Sequence, residues 1–258
     1  MPEGDTVWRT AKNLDAALTG RELVRAELRV PAFATVELAG ETVHSVVSRG
    51  KHLLMRVGEL SIHSHLKMEG SWHLYREGTR WRRPAWQARA VLANDEWTAV
   101  GFQLGLLEVV PTSEEGSVVG YLGPDLLGPD WSPELALANL LADPARPVGL
   151  ALLDQRNLAG LGNVYRNELC FLRGVLPTRP VGEVEHPERL VDLAHRLIDA
   201  NKDRVERTTT GTLRGATDWV YRREGKPCLR CGTTIERGTL GDTELTLRDT
   251  YWCPRCQT

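Results

Sequence analysis

The sequence predicts a multidomain α+β chain: an N-terminal β-sandwich led by one helix, a helical unit, and a small cysteine-bearing piece at the end. Three observations carry this. At 258 residues the chain is long for one core and short for three, because domains run at roughly 100 to 200 residues. Apolar residues fall in short alternating or β-branched runs from Glu22 to about Val110, and then in a helical period beyond Ser132. Four of the five cysteines lie at or beyond Cys228.

The leading helix is read over Asp5 to Leu18, where Val7, Ala11, Leu14 and Leu18 share one face, Asp5 or Thr6 offers a cap and Gly20 a stop. The runs "ELVRAELRV", "TVHSVVSRGKHLLMRV", "LSIHSHL", "SWHLY", "ARAVLA" and "LLEVV" are strands of a domain spanning 1–112. Residues 113–131, rich in Pro, Gly and acids, read as a linker. A helical domain over 132–222 holds four candidate helices: "SPELALANLLAD" with Ser132 as N-cap and Pro133 at the first position, "VGLALLDQ", "NVYRNELCFL" and "PERLVDLAHRLIDANKDRV". Residues 223–258 are turn-rich and form the last unit. Internal repeats and low-complexity tracts are absent.

Hydrophobic content of 41% and charged content of 26% describe an ordinary globular chain. No apolar run approaches the roughly 20 residues that span a bilayer, and the start lacks a signal peptide's basic and apolar regions, so a cytosolic protein without a membrane partner is expected. The net charge of −2 gives no global sign of a polyanion partner. Local clusters do exist: Arg76, Arg80, Arg82, Arg83 and Arg89, and a second from Arg207 to Arg237, flank an acidic middle. A solvated face and a polyanion cleft are both compatible with them.

Cys228 and Cys231 are spaced C-x-x-C, as are Cys253 and Cys256, with residues 232–252 between the pairs. Two such pairs place four thiolates around one tetrahedral ion, the zinc-ribbon arrangement, and disulfides would be rare in a cytosolic protein. A closed site of four sulfurs makes one structural Zn2+. Cys170, in an apolar helical run, is a core residue. Arg248, in the strand-like "LTLRDTYW", could present a guanidinium to phosphate or remain a surface charge.

"AGLGN" joins two helical segments. Gly permits close approach of phosphate to a helix N-terminus, and Asn163 could cap that helix or meet a phosphate; an interhelical turn is the plain reading of "GLGN" alone. At the other end, removal of Met1 would expose Pro2 as a secondary amine, with the carboxylates of Glu3 and Asp5 nearby.

M-P-E-G at the start, D-Q-x-x-x-A-G-L-G-N-x-Y-x-x-E in the helical unit and C-x-x-C…C-x-x-C at the end occur together in that order. The combination resembles the formamidopyrimidine-DNA glycosylase and endonuclease VIII family, base-excision repair enzymes for oxidised bases, over essentially the whole chain. The resemblance implies a β-sandwich, a helix-two-turn-helix domain and a zinc finger, with damaged DNA, duplex or single-stranded, as partner of a monomer. It implies Pro2 as nucleophile and Glu3 as proton-transfer partner, with Lys51 contacting the lesion's sugar or phosphate. Asn163 and Arg248 would hold backbone phosphates, and Glu168 and Asp154 match acidic positions near the active site. "HLKMEGSW" matches the family's insertion loop, nominating Met68 as wedge beside Lys67 and Glu69; ordinary turn packing is the alternative.

The chemistry asks for these types. An amine forms an imine only when unprotonated, and an α-amino group with a pKa of about 7.7 to 8.0 is partly neutral at physiological pH, unlike a lysine near 10.4. Departures from the family pattern bear on substrate. The region near "VGFQLGLLEV" lacks the guanine-lesion branch's P-R-R-F-G, and "TTTGTLRGATDW" is too short for its lesion-covering loop. Both point to the endonuclease VIII branch and to oxidised pyrimidines; oxidised guanine, or silent recognition of damage, are the alternatives. Thr6 stands where both branches carry a glutamate, which leaves the role of a second N-terminal acid open.

Overall fold

The spacing of Val7, Ala11, Leu14 and Leu18 builds helix α1, Gly4–Leu18, with all four buried on one face. The computed structural model describes residues 2–258, so the expected loss of Met1 lies outside the described residues. Neither Asp5 nor Thr6 is the cap. The helix begins at Gly4 with extended Glu3 as N-cap, whose carbonyl accepts from the N–H groups of Thr6 and Val7 at 3.0 and 3.1 Å. Asp5 sits buried in the first turn, where the helix dipole favours an acid. Extended Thr19 and left-handed Gly20 stop the helix.

Eight strands follow: β1 (Arg25–Leu28), β2 (Val43–Arg49), β3 (His52–Val57), β4 (Leu60–His65), β5 (Ser71–Arg76), β6 (Ala88–Ala93), β7 (Trp97–Phe102) and β8 (Leu106–Pro111). They pair antiparallel in two four-stranded sheets, ordered β1-β6-β7-β5 and β2-β3-β4-β8. The period of two sorts the side chains: Ala90, Leu92 and Ala99 enter the core shared with Met55, Ile62 and α1, while Val91, Val100 and Phe102 face a second cluster with Tyr75 and Trp81. Asp15 of α1 accepts the backbone N–H of Val46 at 2.8 Å, so the helix satisfies part of the edge strand β2.

Residues 113–131 are not a separate linker. The chain divides between Tyr121 and Leu122. Ahead of that point a turn and the short helix α2, Gly116–Val119, return along the sandwich, pinned where Arg56 gives Nε and Nη2 to Glu115 at 2.9 and 2.8 Å. Beyond it, Leu126 is fully buried in the helical core and Asp125 bridges to Ala159. Pro, Gly and acidic composition suggested a loose connection; long-range contacts absorb it into the two units instead.

In the second unit α3, Pro133–Leu141, is capped by Ser132, whose hydroxyl accepts the N–H of Leu135 at 3.2 Å. The segment "VGLALLDQ" yields only one turn, α4, Val148–Ala151. Helix α5, Asn163–Arg173, ends at left-handed Gly174. Helix α6, Pro187–Asp199, is shorter than its periodicity predicted, because Asn201 is buried and turns the chain: its amide donates to the carbonyls of Leu197 and Thr208, and its Oδ1 accepts from the N–H of Thr208. Strands β9, Glu236–Leu240, and β10, Arg248–Trp252, close an antiparallel hairpin. A sandwich led by a helix, a helical region and a terminal cysteine-bearing hairpin is the architecture the sequence predicts.

Candidate nucleic-acid interface and metal centre

At the head of α1, Glu3 is fully buried while Pro2 stays partly open. The helix N-terminus favours a carboxylate at this position.

Lys51 lies in the two-residue turn Gly50–Lys51 that joins β2 to β3, with Arg49 and His52 paired across it. Gly50, at φ 58°, takes the left-handed position that such a turn requires. His52 starts β3 and is linked through Nδ1 to His63 Nε2 at 2.8 Å and through Nε2 to the Tyr121 hydroxyl at 3.1 Å. His63 Nδ1 meets Glu108 Oε1 at 2.7 Å. Burial, then the neighbouring imidazoles and lysines, hold His52 down at about 3; burial, with Lys67 and Lys51, holds His65 at about 4. Both rings are therefore uncharged at neutral pH.

The β4–β5 connection carries Lys67, Met68 and Glu69. Met68 is 66% exposed, so it is not core packing, and Lys67 has a left-handed backbone with its N–H donating to His65 Nδ1 at 2.9 Å. Arg83 braces this turn against the next one, donating to the carbonyl of Glu69 and to Gln103 Oε1 at 3.2 and 2.8 Å.

In the second unit the residues of α5 hold the hairpin. Asn163 is the first helical residue and makes no capping bond, because extended Gly162 occupies the N-cap. Its amide instead donates to the carbonyl of Asp249 at 2.9 Å. Arg166, one turn on and fully buried, donates to Asn163 Oδ1, to Thr250 Oγ1 at 2.9 Å and to the Asp249 carbonyl at 3.1 Å. Asn167 accepts the N–H of Tyr251 at 2.7 Å. Positions i, i+3 and i+4 of one helix face thus grip β10 and hold Asn163 against Asp249, the residue after exposed Arg248. Sequence reading missed Arg166 and Asn167; polar residues at helical spacing inside an otherwise apolar helix were the available signal.

Glu168 does not face outward. It is fully buried and accepts from Thr209 Oγ1 and from the N–H groups of Trp219, Val220 and Tyr221 at 2.7, 2.9 and 2.9 Å. Burial pushes its carboxyl up, and these four donors pull it back. Its acceptors are spent on the 209–221 loop, so a direct contact with DNA is corrected to an organising role. Asp154 is committed locally as well: burial raises its pKa, but hydrogen bonds from Arg156 overcome this and leave the carboxyl below its ordinary value. Gln155 shapes the glycine junction, accepting from the N–H of Gly160 and donating to the carbonyls of Leu153 and Leu161.

The sulfurs of Cys228, Cys231, Cys253 and Cys256 all lie within 4.8 Å of one another. Cys228 and Cys256 are 3.9 Å apart, and Cys231 and Cys253 are 3.5 Å apart. Thiolates around a tetrahedral ion with bonds of about 2.3 Å sit about 3.8 Å from each other, so the donor set fits one metal ion. Cys170 stands apart in the core, its thiol pushed up to about 12 by burial.

Comparison with known proteins matches the formamidopyrimidine-DNA glycosylase N-terminal domain to residues 1–103 and its H2TH domain to residues 122–214. The chain is 56% identical to "Probable endonuclease 8 2" of Streptomyces coelicolor, over 100% of this chain and 94% of that protein. It is 52% identical to "DNA-(apurinic or apyrimidinic site) lyase Nei2" of Mycolicibacterium smegmatis, over 100% and 99% of the two chains. It is 33% identical over the whole of both chains to "Endonuclease 8" of Escherichia coli. Among solved structures, a MutM complex with DNA containing carbocyclic 8-oxo-G superposes with a TM-score of 0.82 at 22% identity, covering 100% of both chains. A Lactococcus lactis Fpg complex with abasic-site DNA gives 0.80 at 20% identity, covering 99% of both. Those two likenesses concern the fold.

Proposed function

Because this chain belongs to the formamidopyrimidine-DNA glycosylase and endonuclease VIII family, on the endonuclease VIII side, we propose that it excises oxidised pyrimidines from DNA and cleaves the strand at the resulting abasic site. The observation that carries this is the pairing of partly open Pro2 with buried Glu3 at the head of α1. The Pro2 amine attacks C1′ of the damaged nucleotide; the nitrogen–carbon bond forms as the bond to the base breaks, and the base leaves with that bond's electron pair and the proton the amine gives up. Glu3 moves the protons, giving one as the sugar ring opens and taking one as the phosphate leaves by elimination. Water then releases the amine.

Lys51 holds the sugar or phosphate of the lesion, while Asn163 and Arg248 hold the strand as the base is rotated out, at a cost of a few kcal/mol. Met68, exposed on its turn, fills the gap, with Lys67 and Glu69 beside it. Asp154 keeps a place near the bound strand through Arg156. The metal held by the four cysteines is Zn2+, which stiffens the hairpin carrying Arg248. The pyrimidine preference is supported by the β7–β8 connection, where Gln103 and Gly105 form a short turn braced by Arg83 in place of a P-R-R-F-G segment. A cytoplasmic monomer acting on duplex or single-stranded DNA completes the reading; among the described residues no helix is long and apolar enough to cross a membrane.

An excision panel with an untagged N-terminus tests it. Thymine glycol and hydroxylated uracil or cytosine are released faster than oxidised guanine from matched duplexes. Clear preference for the guanine lesion would overturn the substrate assignment, and absence of any borohydride-trapped complex would overturn the enzyme assignment.

A further inference from the structure

The sandwich carries a hydrogen-bonded chain that the proposed reaction does not use: Glu108, His63, His52 and Tyr121, joined at 2.7, 2.8 and 3.1 Å. His63 is 1% exposed and His52 is 8% exposed, while Tyr121 at one end is 54% exposed. A carboxylate only accepts, so His63 Nδ1 carries a proton toward Glu108. With one proton on each imidazole, His63 Nε2 is the acceptor and His52 donates from Nδ1. The remaining nitrogen, Nε2 of His52, accepts from the Tyr121 hydroxyl. In that arrangement Glu108 sets the polarity of every link, and the opposite tautomer of His52 against a singly protonated His63 would set two lone pairs against each other at 2.8 Å.

Both ring nitrogens of His52 are thus engaged, and His52 is the residue that follows Lys51. The turn has only two residues, so its tilt is set by the flanking pair Arg49 and His52. We propose that His52 is a positioning residue for Lys51, with the Glu108–His63–His52–Tyr121 chain locking the strand end from which the lysine is presented. This rests on the role given to Lys51 above. The same chain ties Tyr121, the last residue of the first unit, to that strand end.

The test is a double-mutant cycle on the full-length, untagged protein, read as the single-turnover rate of borohydride trapping on abasic-site duplex. His63→Phe keeps a ring and removes both of its links; Tyr121→Phe deletes one hydroxyl at the exposed end and avoids a folding defect. With Lys51 present, each variant slows trapping by about tenfold, since small misplacements of a positioned group are costly. In a Lys51→Ala background the same substitutions change the rate by less than about twofold, because coupled residues are not additive. Ring nitrogen NMR shows His52 protonated at Nδ1 and bare at Nε2 at neutral pH. The inference is overturned if Lys51→Ala slows trapping but His63→Phe and Tyr121→Phe do not, if they slow it equally in both backgrounds, or if His52 carries its proton on Nε2. A wild-type rate in Lys51→Ala overturns the role of Lys51 and the inference with it.

Discussion

Asn163 donates its side-chain amide to the main-chain carbonyl of Asp249 at 2.9 Å, one residue beyond Arg248. The first residue of helix α5 and the first turn of strand β10 are therefore one structural object, and Arg166 fastens them from below. Replacing Arg166 with Met strips the Thr250 hydroxyl and the Asp249 carbonyl of a charged donor, a loss of roughly 2–3 kcal/mol. The expected outcome is weaker binding of abasic-site duplex and faster proteolysis within 236–252. Wild-type affinity and protease resistance would show that the hairpin does not need this grip.

Glu168→Gln tests the buried carboxylate. A glutamine turns an NH2 group toward backbone N–H donors, leaving at least one unpaired, at a cost of about 1–3 kcal/mol. Its effect should be a lower unfolding midpoint in urea and increased hydrogen exchange at Trp219, Val220 and Tyr221. An unchanged midpoint would show that the carboxylate does not hold the 209–221 loop.

Metal removal acts on the other side of the hairpin. Metal analysis of the intact protein should find one zinc per chain, and Cys228→Ser should lose it, disorder the segment bearing Arg248 and weaken DNA binding several-fold or more. Retained zinc in that variant would exclude Cys228 as a ligand.

Acid should destabilise the sandwich through its histidines. His52 and His65 ordinarily titrate near 6.5, and in the folded unit they are held at about 3 and about 4. The unfolded chain therefore binds protons that the folded one refuses, so stability is full above about pH 6.5 and falls progressively toward pH 4. Urea midpoints at pH 7.5 and pH 5 check this; a midpoint as high at pH 5 as at pH 7.5 would contradict the direction of both shifts.

Much of the molecule was readable where the signal is local. The four apolar residues of α1, the Ser132–Pro133 start of α3 and the two C-x-x-C pairs each state their structure within a few residues. What escaped reading depends on partners far along the chain. Glu115 reaches Arg56, and Asn163 reaches Asp249, which no periodicity reports. The segment 113–131 looked like a linker for that reason, and α6 looked longer than it is because the turn made by Asn201 needs Thr208. Glu168 stands in the quoted motif, yet only burial reveals that its carboxylate serves a loop.

The central claim is that the amine of Pro2 performs the chemistry. Borohydride trapping on duplex DNA containing an oxidised pyrimidine, run side by side with untagged protein and with protein extended by a few residues before Pro2, tests it most directly. The untagged chain forms a covalent complex whose attachment maps by mass spectrometry to Pro2, and the extended chain forms none, because an amide nitrogen cannot make the imine. A complex of equal yield from the extended chain, or attachment at Lys51, would contradict it.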